Sequence, residues 1–181
     1  RGFLGFHKMK SVDEQTGVET TTTYRQDFPV IGYPARTEVR TGAVDPNDRK
    51  LLSEAENIWK LQGWSGVGTP PAAPYRPYIA ASTEKTYSTS TNLAVADKLD
   101  VSTTVLQTVI TQNTYDAYGN PLTINVATTG DGDSFSKNTT NLYGSSTYDK
   151  EKGRLSRSAV VSTRNGQSET RASAFNYYAS G

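Results

Sequence analysis

The chain predicts an all-β fold of consecutive antiparallel β-hairpins, built as a repeat, on three observations. A turn-to-strand phrase recurs: Tyr115-Asp116-Ala117-Tyr118-Gly119-Asn120-Pro121-Leu122 is its clearest copy, Tyr148-Asp149 with Gly153 a second, and Tyr24 with Gly32-Tyr33-Pro34 a stretched third. Apolar residues alternate after the turns, as in Leu122, Ile124 and Val126, so that one strand face can be buried. The composition is 34% hydrophobic with 11 Tyr, and Ser and Thr are abundant, a mix that suits half-exposed strands better than buried helices.

Each element follows from a local pattern. Leu4 to Val12 and Val18 to Tyr24 read as the arms of a hairpin around the polar turn Asp13 to Gly17. In the second arm Val18, Thr20, Thr22 and Tyr24 share one face; Glu19, Thr21, Thr23 and Arg25 share the other, which the pattern assigns to water. Leu51 to Leu61 satisfies two periods. Leu51, Leu52, Ala55, Ile58 and Trp59 have helical spacing, while Ala55, Asn57, Trp59 and Leu61 line one face of a strand, and the repeat context favours the strand. Residues 63–77 are rich in Gly and Pro and read as a loop or insertion, because proline removes ladder donors. Ile79 to Ser88 and Val101 to Tyr115 are Thr-, Val-, Ile- and Tyr-rich strands, the second with apolar residues on both faces. Asn165-Gly166 is the signature of a two-residue hairpin turn with positive φ at both positions. Length predicts one domain over residues 1–181.

Charge and composition remove several function classes. Lys and Arg total 19 against 18 Asp and Glu, a formal charge of +1 that gives no footprint for nucleic acid. The cluster Lys150, Lys152, Arg154 and Arg157 is interrupted by Glu151 and reads as a solvated strand face. The absence of cysteine excludes a disulfide scaffold and thiolate metal sites. No apolar run approaches the ~20 residues of a membrane-spanning helix, so direct membrane insertion is not expected. The opening Arg1-Gly2-Phe3-Leu4 reads as part of a longer polypeptide.

Catalytic constellations are thin. His7 is the only histidine and has no Ser or Cys motif to activate. Asp131 and Asp133, or Asp45 and Asp48, fall short of a calcium ligand series and suit polar turns, so neither metal nor cofactor is expected. Glu14, Asp27, Glu54, Glu56 and Glu84 lie in polar surroundings that fit surface roles. Trp59, Trp64, Tyr75 and Tyr78 flank the proline-rich loop and are the residues that could stack on a sugar.

The turn phrase resembles the YD repeat of Rhs-type bacterial proteins and of the B and C components of Tc toxins. Arg1-Gly2-Phe3-Leu4-Gly5-Phe6, Asp13-Glu14-Gln15-Thr16-Gly17 and Tyr24-Arg25-Gln26-Asp27-Phe28-Pro29 resemble the segment that precedes those repeats. The copies depart from a uniform pattern: Lys150-Glu151-Lys152 intervenes before Gly153, and Arg25 stands where the repeat has Asp. The resemblance implies a curved sheet that forms part of a hollow shell around a toxic C-terminal domain, in a protein secreted by or displayed on a bacterium. Tyr115, Asp116, Gly119, Pro121, Tyr148, Asp149, Gly153, Tyr24 and Gly32 would then be structural repeat positions in a non-catalytic segment. Its partners would be the rest of the parent polypeptide, including the toxin cargo. The paired Asp-Pro self-cleavage motif of the family is not matched, since Asp45-Pro46 stands alone, and no autoproteolysis is expected. An alternative of another class is a cell-surface adhesion or carbohydrate-binding module that uses the four loop aromatics. In either case exposed sheet edges predict self-association.

Overall fold

A computed structural model of the chain describes residues 5–42, 49–63, 75–88 and 104–178. Trp64, the segment Asp45 to Asp48 and most of the 63–77 loop lie outside the described residues. The fold is all-β. Ten strands form one antiparallel sheet in which order along the chain is order in the sheet. They are β1 (Lys8–Val12), β2 (Glu19–Tyr24), β3 (Pro34–Arg40), β4 (Leu51–Leu61), β5 (Pro77–Tyr87), β6 (Val105–Tyr115), β7 (Pro121–Gly130), β8 (Asp133–Tyr143), β9 (Leu155–Arg164) and β10 (Gln167–Ala174). A single helical turn, α1 (Thr147–Glu151), interrupts the β8–β9 connection.

The chain divides into two compact units. The first is Arg1–Ile58 with Ser82–Val109, the second Trp59–Ala81 with Ile110–Gly181, so β4, β5 and β6 each contribute to both. In the first unit Val30, 5% exposed, is the buried apolar residue; in the second it is Leu61, at 3%. Among the described residues no large side chain is wholly enclosed. Backbone ladders and cross-strand side-chain pairs therefore carry more of the organisation than a core does.

Turn chemistry sets the register. Asp13 caps its turn, accepting from the Gln15 amide at 2.9 Å and from the Thr16 hydroxyl at 2.8 Å, and β1 meets β2 with Val12 opposite Glu19. Asp131-Gly132 (φ 51° and 77°) joins Gly130 to Asp133, and Asn165-Gly166 (φ 48° and 83°) joins Arg164 to Gln167. Both are two-residue hairpin turns with positive φ throughout. Asp131 and Asp133 thus occupy a turn, with the Asp133 carboxylate tied to Arg164 and Asn165, each at 2.6 Å.

Two sequence expectations meet local structure here. β4 takes the strand period: Ala55, Asn57 and Trp59 are half-buried and Leu61 buried, whereas Glu56, Ile58 and Lys60 are exposed. The assignment of the polar face of β2 to water is overturned, because Glu19 and Thr21 are its buried residues, at 7% exposure each. Lys10, on the neighbouring strand, and Arg49 both reach the Glu19 carboxylate, and the Thr21 hydroxyl donates to it at 3.4 Å. A buried carboxylate needs such partners.

Candidate functional site

The recurring feature of the structure is the way its hairpins close. In four connections the amide just past the incoming strand donates to the carbonyl just before the outgoing strand: Asp13 to Val18 (2.9 Å), Arg25 to Tyr33 (2.8 Å), Asp116 to Asn120 (3.0 Å) and Gly144 to Arg154 (3.0 Å). Immediately before each acceptor stands a glycine in the left-handed region, Gly17 (68°), Gly32 (80°), Gly119 (91°) and Gly153 (62°). The closing bond adds a rung to the ladder, and the chain must then swing into the outgoing strand through a φ that a Cβ opposes. The loops enclosed differ in length, running over 14–17, 26–32, 117–119 and 145–153.

The sequence-predicted repeat residues fall around these closures. Tyr24 ends β2 opposite Pro34, and Tyr115 and Pro121 end β6 and begin β7. In the third copy the strand-ending tyrosine is Tyr143, paired with Leu155, whereas Tyr148 lies in α1 within the loop. Ser146 caps that helical turn, its hydroxyl accepting from the Asp149 amide at 3.0 Å and donating to the Asp149 carboxylate at 2.6 Å. Ser146 and then Arg154 hold the Asp149 carboxyl below its ordinary range. The Arg154 guanidinium lies over the rings of Tyr148, at 4.8 Å, and Tyr177, at 5.4 Å.

Within the second unit successive loops are linked in series. The Gln62 side-chain amide donates to the Asp116 carbonyl, the Arg76 guanidinium to the Tyr118 carbonyl at 3.2 Å, and the Asn120 side-chain amide to the Lys150 carbonyl at 2.7 Å. Asp116 organises the middle loop, its carboxylate accepting from the amides of Tyr118 (2.8 Å) and Asn120 (2.9 Å) and from the Asn120 side chain (2.9 Å). Burial opposes ionisation of Asp116, and these hydrogen bonds outweigh it, leaving the carboxyl below its ordinary value. Asparagines add cross-strand ties: Asn113 donates to the Ile79 carbonyl at 3.1 Å and Asn141 to the Pro121 carbonyl at 3.0 Å. In the first unit Asn57 does the same to Pro34 at 3.3 Å.

Two charge clusters in the first unit went unread in the sequence. Glu54 accepts from the Tyr87 hydroxyl (2.5 Å), Arg36 (2.6 Å) and Lys85 (3.2 Å), and its carboxyl falls to about 2 as a result. Burial, and then the bond to Glu54, pushes the Tyr87 phenol up to about 12. Glu19 is likewise held below its usual value, by the Lys10 hydrogen bond first and then by the Arg49 charge, against the cost of burial. A general acid needs a carboxyl poised near the working pH; these are driven the other way, into permanent ion pairs.

The proposed sugar platform is dispersed into the sheet where it is described. Tyr78 packs on Tyr115 with centroids 4.8 Å apart and planes tilted by 54°, and Trp59 and Tyr75 are half-buried. A shallow depression of about 230 Å³ lies on β6, β7 and β8 between Ile110, Asn125 and Asn138, away from these aromatics. Among the described residues no three His, Cys, Asp or Glu side chains converge as a metal site, and no helix is long and apolar enough to cross a membrane. Comparison with protein-family models, curated proteins and solved structures finds no match.

Proposed function

We propose that this chain is a structural segment of a YD-repeat, Rhs-type bacterial protein, forming part of a β-sheet shell that encloses a C-terminal toxin domain. The observation that carries the reading is the common closure of four hairpins around loops of different length. A wall assembled from such units depends on a repeated join, and the residues that resemble the YD repeat cluster at that join. The work is physical: the ladders separate cargo from solvent and proteases, and many weak interfaces between neighbouring units add up. The parent would be secreted or displayed on the bacterial surface, with the cargo as the partner of this segment.

The reading is tested by limited proteolysis of the full-length parent with mass-spectrometric readout. The expected result is a C-terminal segment that survives while the same segment, expressed alone, is digested. Equal digestion of the two, or a parent with no segment beyond the repeats, overturns the proposal.

A further inference from the structure

β10 leaves one edge of its backbone unclaimed. Among the described residues its one neighbour in the sheet is β9, and every residue of the strand is exposed. The Asn165-Gly166 turn closes on the pair Arg164 and Gln167, so odd-numbered residues of β10 direct their amide and carbonyl groups to β9. The Phe175 amide, bonded to the Ser156 carbonyl at 2.9 Å, continues that alternation. Ser168, Thr170 and Ala172 therefore point theirs outward. The strand contains no proline, lysine or register shift to blunt the edge.

We propose that two copies of this chain join through β10, antiparallel, about a two-fold axis at Thr170. In that register Thr170 faces Thr170 and Ser168 faces Ala172 as hydrogen-bonded pairs, using the outward groups. Glu169 of each copy then stands opposite Arg171 of the other in a non-hydrogen-bonded pair, where side chains come closest. The symmetry supplies the ion pair twice and closes the assembly at a dimer. Slipping the chains by two residues either way sets Glu169 against Glu169 or Arg171 against Arg171, so charge selects the register. Glu169 and Arg171 now pair within their own strand at 2.9 Å, with side chains 67% and 82% exposed, and can exchange partners without leaving water. The other edge strand is unsuited to the same association. β1 has only five residues, and self-pairing about its centre would oppose Lys10 to Lys10, a side chain already engaged with Glu19.

This inference is independent of the shell reading and is tested on the 181-residue chain by sedimentation equilibrium. The expected species is a dimer. Glu169→Arg or Arg171→Glu converts two attractive pairs into repulsive ones and weakens it by roughly tenfold or more. The double variant carrying both changes restores it. Thr170→Pro abolishes the dimer while leaving the β9–β10 ladder intact, because the amide removed points outward, and an unchanged circular dichroism spectrum checks this. A chain that stays monomeric at high concentration overturns the proposal. So does a dimer indifferent to Thr170→Pro, or a double variant no tighter than the single ones.

Discussion

At the scale of single residues, glycines and ionised side chains make the sharpest predictions. An added Cβ on Gly42 would sit 2.6 Å from the backbone carbon of Gly17, whereas one on Gly166 meets nothing within 4 Å and carries only the strain of its positive φ. Gly166→Ala should therefore cost about 1 kcal/mol, and Gly42→Ala distinctly more, since two backbones must part; equilibrium denaturation of both variants measures the difference. Gly119→Val should also destabilise, by about 1–3 kcal/mol, because its φ of 91° disfavours a β-branched residue. Glu54 supplies a pH signature. Its carboxyl is depressed to about 2 from a reference of 4.5 by Tyr87, Arg36 and Lys85, so the stability it contributes is complete above pH 4.5 and is lost as pH falls towards 2. Glu54→Gln should flatten the acid limb of a stability-against-pH curve across that window. An unchanged limb would mean that the cluster does not couple to unfolding.

At the scale of elements, the loop linkages of the second unit set the expectation. Asp116→Ala leaves the amides of Tyr118 and Asn120 without their acceptor and should destabilise by about 1–3 kcal/mol. Asp116→Asn retains a side-chain acceptor and should cost less; denaturant midpoints of the two variants make the comparison. The elements were legible where the deciding contacts were local. Asp13 to Gly17, Asn165-Gly166 and the glycines of the turn phrase could be read because a turn's φ angles are dictated by the residues within it. Tyr143 was missed as a strand end because α1, capped by Ser146, inserts a helical turn between it and Gly153, and the more conspicuous Tyr148-Asp149 lies inside that insertion. The burial of Glu19 was missed because its compensating charges come from elsewhere in the chain. Lys10 could have been found by folding the first hairpin on paper, since it lies opposite Thr21; Arg49, beyond β3, could not.

At the scale of the whole molecule, the scarcity of enclosed apolar side chains decides how substitutions should behave. Leu61→Ala removes one of the few buried apolar side chains and should cost about 2–3 kcal/mol, the lower part of the usual range, because a thin sheet lets water fill the gap. Ile58→Ala, at a position 56% exposed, should stay within about 0.5 kcal/mol. Thermal or chemical unfolding of the pair tests whether Leu61 anchors its unit. The hairpin closures carry a different consequence, for sequence change over time. In each, the bond between the two strand ends and the left-handed glycine beside it separate the register of the sheet from whatever lies in the loop. Insertions and deletions can then accumulate at these joins while the strands on either side keep their partners, and the unit that is inherited is a geometry of fixed exit and free length.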